Sequence, residues 1–263
     1  MYRLNEREAG RSKVSQNLVI LVVIILIVVA FVVLRRTHRE PSPAPTPAPP
    51  TGGLSPFPEL KEKPQPLNIT FKGCPPEGDG GDPALNRLKN RVDEANSYYP
   101  IPFDSLLQLP WPKATERKNR ANWSGADAES VARYEGIPVS VEGYLAKSTL
   151  EGPESCNCHG ADAELRDFHI WLIKNANDDR TNSIVVETGP RVRAKHPSWR
   201  TDILGKIARS DQKVRISGWL MLDPEHPDQV GKTRGTVWEI HPIMQIHVEQ
   251  QGIWMPLDGL PNK

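Results

Sequence analysis

Between Leu18 and Leu34 the chain reads LVILVVIILIVVAFVVL, without one polar side chain. With Val14 to Asn17 the segment reaches about 20 residues, enough to span the hydrocarbon of a bilayer. A cleaved signal peptide has an apolar region of about 7 to 15 residues before a small-residue cleavage site. Here the run ends instead on Arg35, Arg36 and Arg39. The sequence therefore predicts a tail at 1–17 and an uncleaved, single-pass anchor at 18–34 in a cytoplasmic membrane. Arg3, Arg7, Arg11 and Lys13 before the run outnumber the three arginines after it. That bias places the N-terminus inside and the rest of the chain outside.

The anchor removes the first part of the chain from any soluble fold, and the next segment cannot supply a core either. Residues 41–66, PSPAPTPAPPTGGLSPFPELKEKPQP, favour polyproline conformation and predict a semi-rigid spacer of about 3 Å per residue. An external protease is then expected to reach Lys61 and everything beyond it. Residues 1–40 hold seven Lys/Arg against three Asp/Glu, leaving 26 against 29 for the remainder. A domain without cationic excess has little to offer a phosphate backbone, so nucleic acid as a partner would need a local basic patch.

Residues 67–135 read as a lead-in extension. Leu85, Leu88 and Val92 recur at helical spacing and predict one short helix over 83–96, with Arg87, Lys89 and Arg91 on a solvated face. Phe103, Leu106, Leu107, Leu109 and Trp111 follow, broken by four prolines that forbid a long element. Residues 136–257 are mainly β. Alternating patterns predict strands around Val139–Leu145, Phe168–Leu172, Ile184–Val186, Lys213–Leu222 and Thr236–Val248, the last interrupted by Pro242. One helix, Thr201–Ser210, falls between strands three and four.

Five strands in that order, with glycines in the first and fourth where a small barrel must coil, resemble the oligonucleotide/oligosaccharide-binding (OB) fold over roughly residues 137–250. The strings ESCNCH, DFHIWL, VVETGPR, GWLMLDPEH and WEIHPI also resemble a family of secreted or anchored bacterial envelope proteins without an established activity. That resemblance implies an OB-like barrel and an envelope location. The chain departs from the family at Thr188-Gly189-Pro190-Arg191, where Thr-Pro-Arg is the commoner reading.

The reactive side chains concentrate in the loop between the first two strands. Cys156, Cys158 and His159, with the upstream Cys74, have the thiolate and imidazole character of a closed zinc site. The alternative is a disulfide. One intervening residue disfavours a Cys156–Cys158 bond, so any disulfide is expected to involve Cys74. His169, His226 and His241, with Glu239, are candidates for a catalytic metal site in which three imidazoles hold an ion that activates water. The plainer reading makes each histidine a buried pin on a carboxylate, with Asp167, Asp223 and Glu239 two or three residues away. Trp171 is a candidate for ligand stacking, and Arg191, Arg193 and Lys195 form a candidate anion-binding loop. These features predict a membrane-anchored OB-like module that binds nucleic acid, saccharide or protein and carries a Cys/His metal site. A metal-dependent phosphodiesterase or nuclease, and a structural envelope protein, are the alternatives.

Overall fold

The computed structural model describes residues 55–60 and 62–260. The tail, the anchor, most of the spacer and Lys61 lie outside the described residues, so the predicted membrane span does too. Among the described residues no helix is long and apolar enough to cross a membrane.

The fold is a closed five-stranded barrel. Its strands are β1 (Pro138–Leu150), β2 (Phe168–Ile173), β3 (Ile184–Thr188), β4 (Lys213–Leu222) and β5 (Trp238–Gln250). β1 pairs with β2 and β2 with β3, both antiparallel, and β3 pairs with β5 in parallel. The antiparallel pairs β5–β4 and β4–β1 close the ring. This order and the helices between β3 and β4 are consistent with an OB-like barrel. A short strand, β6 (Ile253–Pro256), adds a hairpin to β5.

Two glycines let the strands approach closely enough to close the ring. A Cβ on Gly218 would lie 2.3 Å from the Pro242 carbonyl oxygen, and one on Gly143 would lie 2.5 Å from that of Ile173. The β4–β5 register shifts on both sides of Gly218, so Pro242 sits beside a bulge, where a missing backbone donor is tolerated. Phe168, Ile170, Leu172, Val186, Ile216, Leu220, Trp238 and Ile240 belong to one buried apolar cluster inside the barrel.

Between β3 and β4 the structure has two helical pieces rather than one. The basic stretch forms α4 (Pro190–Arg193), and α5 (Thr201–Ala208) lays Leu204 and Ile207 on the core. Pro190 at the first helical position has a pre-set φ and no N–H to lose, which is why the turn winds up there.

The lead-in packs on the barrel through α1 (Pro83–Lys89), α2 (Phe103–Leu107) and α3 (Gly125–Ala132). Asp82 caps α1, accepting from the Ala84 and Leu85 amides at 3.0 and 3.2 Å. The helix stops at Lys89, short of the predicted Asn96, because Asn90 leaves the helical conformation and Arg91 bridges Asn68 instead. That corrects the solvated basic face. Arg91 is buried with its guanidinium 3.4 Å from the Trp219 ring, and Lys89 is buried as well; only Arg87 remains exposed. Phe103, Leu106 and Leu109 join the core, and Pro110 accepts from the Trp238 indole at 3.2 Å. The helix α3 has too little apolar character to announce itself by periodicity; its signal is Ser124, which caps the Asp127 amide at 3.1 Å.

Candidate functional site

Register decides which side chains meet. Phe168, Ile170 and Leu172 point into the core, so the alternate residues of β2, His169 and Trp171, lie on the other face with their rings 4.2 Å apart. His169 pairs with Glu187 and Trp171 with Val185 across β2–β3, and Val185 pairs with Glu239 across β3–β5. Two residues farther along the parallel pair come Glu187 and His241. One face of β2, β3 and β5 is thereby built of acids and imidazoles. The β1–β2 loop, the β4–β5 loop and α1 cover it and leave a cavity of about 140 Å³, whose lining includes Lys89, Glu151, Glu154, His169, His226 and Glu239.

The three predicted imidazoles are linked in series rather than gathered on a point. His169 Nδ1 lies 2.7 Å from Glu187 and 3.2 Å from Glu151. The other oxygen of Glu187 is 3.3 Å from His241 Nδ1, and Glu239 is 3.8 Å from the same nitrogen. Glu239 also pairs with the buried Arg234, which pairs with Asp223 at 2.7 Å, which in turn holds His226 at 2.8 Å. Among the described residues, no set of three donors close enough for one ion contains two imidazoles. The geometry therefore sets each histidine beside a carboxylate, with Glu187 shared between His169 and His241. Asp167 serves His241, at 3.7 Å from Nε2, rather than its sequence neighbour His169.

Burial works against a charge on His169, but the hydrogen bonds to Glu151 and Glu187 win and raise it to about 10. On His226 the bond to Asp223 dominates over burial and raises the imidazole to about 9. Burial is the largest effect on the Lys89 ammonium and opposes it, but the anionic neighbours, Glu154 at 3.1 Å first among them, together outweigh it. For Asp167 burial prevails and pushes the carboxyl up. Six carboxylates line or underlie this face: Glu151, Glu154, Asp167, Glu187, Asp223 and Glu239. The permanent cations bonded to them are Lys89 and Arg234. The rest of the charge is left to imidazolium or to a bound cation.

The pair formed by Asp223 and His226 makes a pH prediction. With its folded value raised to about 9, His226 contributes stability that is complete below its unfolded value of about 6.5 and is lost as pH rises through about 9. Asp223 and Glu239 favour the imidazolium and Arg234 opposes it. Because the His226 side chain is 45% exposed, solvent screening keeps the effect small. Melting temperatures measured from pH 6 to pH 10 should fall less steeply for His226→Gln than for the native chain. Parallel curves would remove His226 from the linkage.

The cysteine reading resolves on its disulfide alternative. Cys74 and Cys158 are bonded to each other, with Cα atoms 5.8 Å apart, so the four-ligand zinc site of Cys74, Cys156, Cys158 and His159 does not form. His159 faces solvent, with Nε2 3.0 Å from the Asp79 carbonyl oxygen. Cys156 is a buried free thiol that donates to Glu154 at 3.3 Å; burial pushes it up, and Asp167 adds to the shift.

The anion loop is likewise corrected. Arg191 is buried, and its guanidinium donates to the carbonyls of Ile69, Cys74 and Pro75 and to the side chains of Asn90 and Asn157. It clamps the lead-in to the barrel. Arg193 stacks 3.7 Å over Phe168, which leaves Lys195 as the exposed cation of the three. Trp219 and Trp238 are core residues, whereas Trp171 lines the cavity with Arg180 4.7 Å over its ring. Sequence reasoning missed Lys89, Glu151, Glu187 and Arg234. Glu187 alone carried a signal, as the single charge in the apolar pattern IVVET.

No family model matches the chain, and no curated protein matches it. Among solved structures, one assigned as an aspartyl-tRNA synthetase from Leishmania major is similar over 62% of this chain and 23% of its own, at 11% identity and a TM-score of 0.29. A likeness that weak carries no argument about fold or function.

Proposed function

We propose that the chain is an anchored, OB-like binding module of the bacterial envelope whose acidic face takes a positively charged ligand. The observation that carries this reading is the polarity of the β2–β3–β5 face. An OB-fold that binds nucleic acid presents stacking aromatics and cations there. Here the face presents Glu187, Glu239, His169 and His241, its Trp171 already carries Arg180 over its ring, and Trp219, Trp238 and Arg191 are buried in structural contacts. A polyanion would meet carboxylates of its own sign. The Cys74–Cys158 bond supports an oxidising compartment, in keeping with a domain held outside the cytoplasmic membrane by the 18–34 anchor and its spacer.

The test is a comparison of ligand charge on the full chain in detergent. Manganese(II) and spermidine serve as cationic probes, and a thymidine oligonucleotide and a heparin fragment as anionic ones. At least one cation should raise the melting temperature in proportion to the logarithm of its concentration, and the polyanions should not. Oligonucleotide binding with a steep salt dependence, and no response to either cation, would overturn the proposal.

A further inference from the structure

We propose that Asp167, Glu187 and His241 form a site for one divalent first-row transition metal ion on the acidic face. This deepens the cation-binding reading and rests on it. The three residues come from the end of the β1–β2 loop, from β3 and from β5, and one donor atom from each lies within 4.8 Å of the others. All three are buried. Acidic clusters of this kind are common, and the feature that singles this one out is His241.

The His241 side chain is wholly buried, yet neither ring nitrogen makes a hydrogen bond. Buried polar atoms ordinarily find partners. Nδ1 stands 3.3 Å from Glu187 and Nε2 3.7 Å from Asp167, near but not aligned. Those two distances run to different nitrogens, and one nitrogen alone can face the ion. One donor atom from each residue lies within 4.8 Å of the other two, against about 3.4 Å between donors around a tetrahedral ion at about 2.0 to 2.2 Å, so the side chains must draw together to share one. If Nε2 takes the ion, Nδ1 keeps Glu239 beside it at 3.8 Å.

Each carboxylate is also half engaged. Asp167 Oδ1 accepts from Asn157 at 2.8 Å, and Glu187 Oε1 is held by His169 at 2.7 Å. The other oxygens, Asp167 Oδ2 with only a long 3.9 Å contact from the Cys156 thiol and Glu187 Oε2, are the two beside His241. Neighbours that fix one oxygen and present the other are how proteins orient metal ligands. The adjacent set of Glu154, Cys156 and Asp167 lacks this openness. Its Glu154 is already paired with Lys89, and its thiol donates to Glu154. Two carboxylates and one imidazole suit zinc, manganese or iron(II), and three protein donors are too few for calcium, which takes six to eight oxygens. Glu187 borders the cavity, so the remaining coordination positions can be filled by water.

The experiment strips the full chain in detergent with a chelator and titrates it with zinc(II), manganese(II) and cobalt(II). One ion per chain is expected, with a higher melting temperature and a cobalt spectrum lacking a thiolate charge-transfer band. Asp167→Asn and Glu187→Gln should each weaken manganese binding at least tenfold, and Cys156→Ser, whose thiol meets Asp167 Oδ2 only at 3.9 Å, should weaken it far less. A thiolate band, or loss of binding in Cys156→Ser, would move the ion to the neighbouring set and overturn the assignment. Because the native titration needs no variant, failure of the native chain to bind any of the three ions overturns the site even where a variant does not fold. If spermidine still binds in that case, the cation-binding reading survives; if no cation binds, both fall.

Discussion

Replacing Cys158 by Ser, or reducing its bond to Cys74, is expected to lower the free energy of unfolding by about 4 kcal/mol, because the bond closes a loop 84 residues long. The constraint acts mainly on the unfolded chain, which loses more freedom the longer the loop it must close. A second consequence is local. The bond fastens the Phe71–Cys74 turn to the loop that carries Asn157 and Cys156, and the same turn gives Arg191 its Cys74 and Pro75 carbonyl acceptors. Loosening it should uncover the acidic face before it unfolds the barrel, whose strands close without it. Urea denaturation of the native and Cys158→Ser chains gives the first quantity, and hydrogen exchange at residues 151–167 gives the second. A loss below about 1 kcal/mol would mean that residual structure in the unfolded chain already brings the two cysteines together.

The barrel was legible because its strands obey the two-residue period and its helix obeys the 3.6-residue one. Ile216, Val139 and Ile240 fall on the core side as alternation predicts, and Gly143 and Gly218 stand where strands press together. Local patterns do not report which segment folds back over a sheet, and that is where the reading of the site failed. Arg191 looked like an anion contact because its acceptors on Ile69, Cys74, Pro75 and Asn90 lie over a hundred residues earlier. Lys89 and Arg91 looked solvated because nothing local shows a helix ending at Lys89. The carboxylate partners of the histidines were expected within three residues, which held for His226 with Asp223; His169 instead found Glu187 across the strand pair. Sheet register, absent from any local window, made that choice.

Arg234→Ala is expected to cost about 3 to 5 kcal/mol, the usual consequence of removing one partner from a buried ion pair. Arg234 has no exposed side-chain surface; it donates to the Thr236 carbonyl at 2.9 Å and bridges Asp223 and Glu239, each only 4% exposed. Against the opposing effect of burial, the hydrogen bond to His226 and then the Arg234 guanidinium hold Asp223 well below the ordinary carboxylate range. In the native chain this stability is present above the unfolded value of about 3.9 and is lost as pH falls toward the depressed folded value. Without the arginine, Glu239 would lose its bonded cation and Asp223 would keep only His226 as a bonded cation in a dry site. The penalty should therefore shrink as acid protonates these carboxylates, so the gap between native and Arg234→Ala chains should narrow from pH 7 to pH 4. Neutralising the partners offers the same relief at fixed pH. Arg234→Met combined with Asp223→Asn and Glu239→Gln should recover most of the loss, because the charges, not the packing, are what the bare site cannot hold. A deficit that is equal at both pH values and persists in the triple variant would assign Arg234 a packing role instead, with its aliphatic stem filling the space beneath the β4–β5 loop.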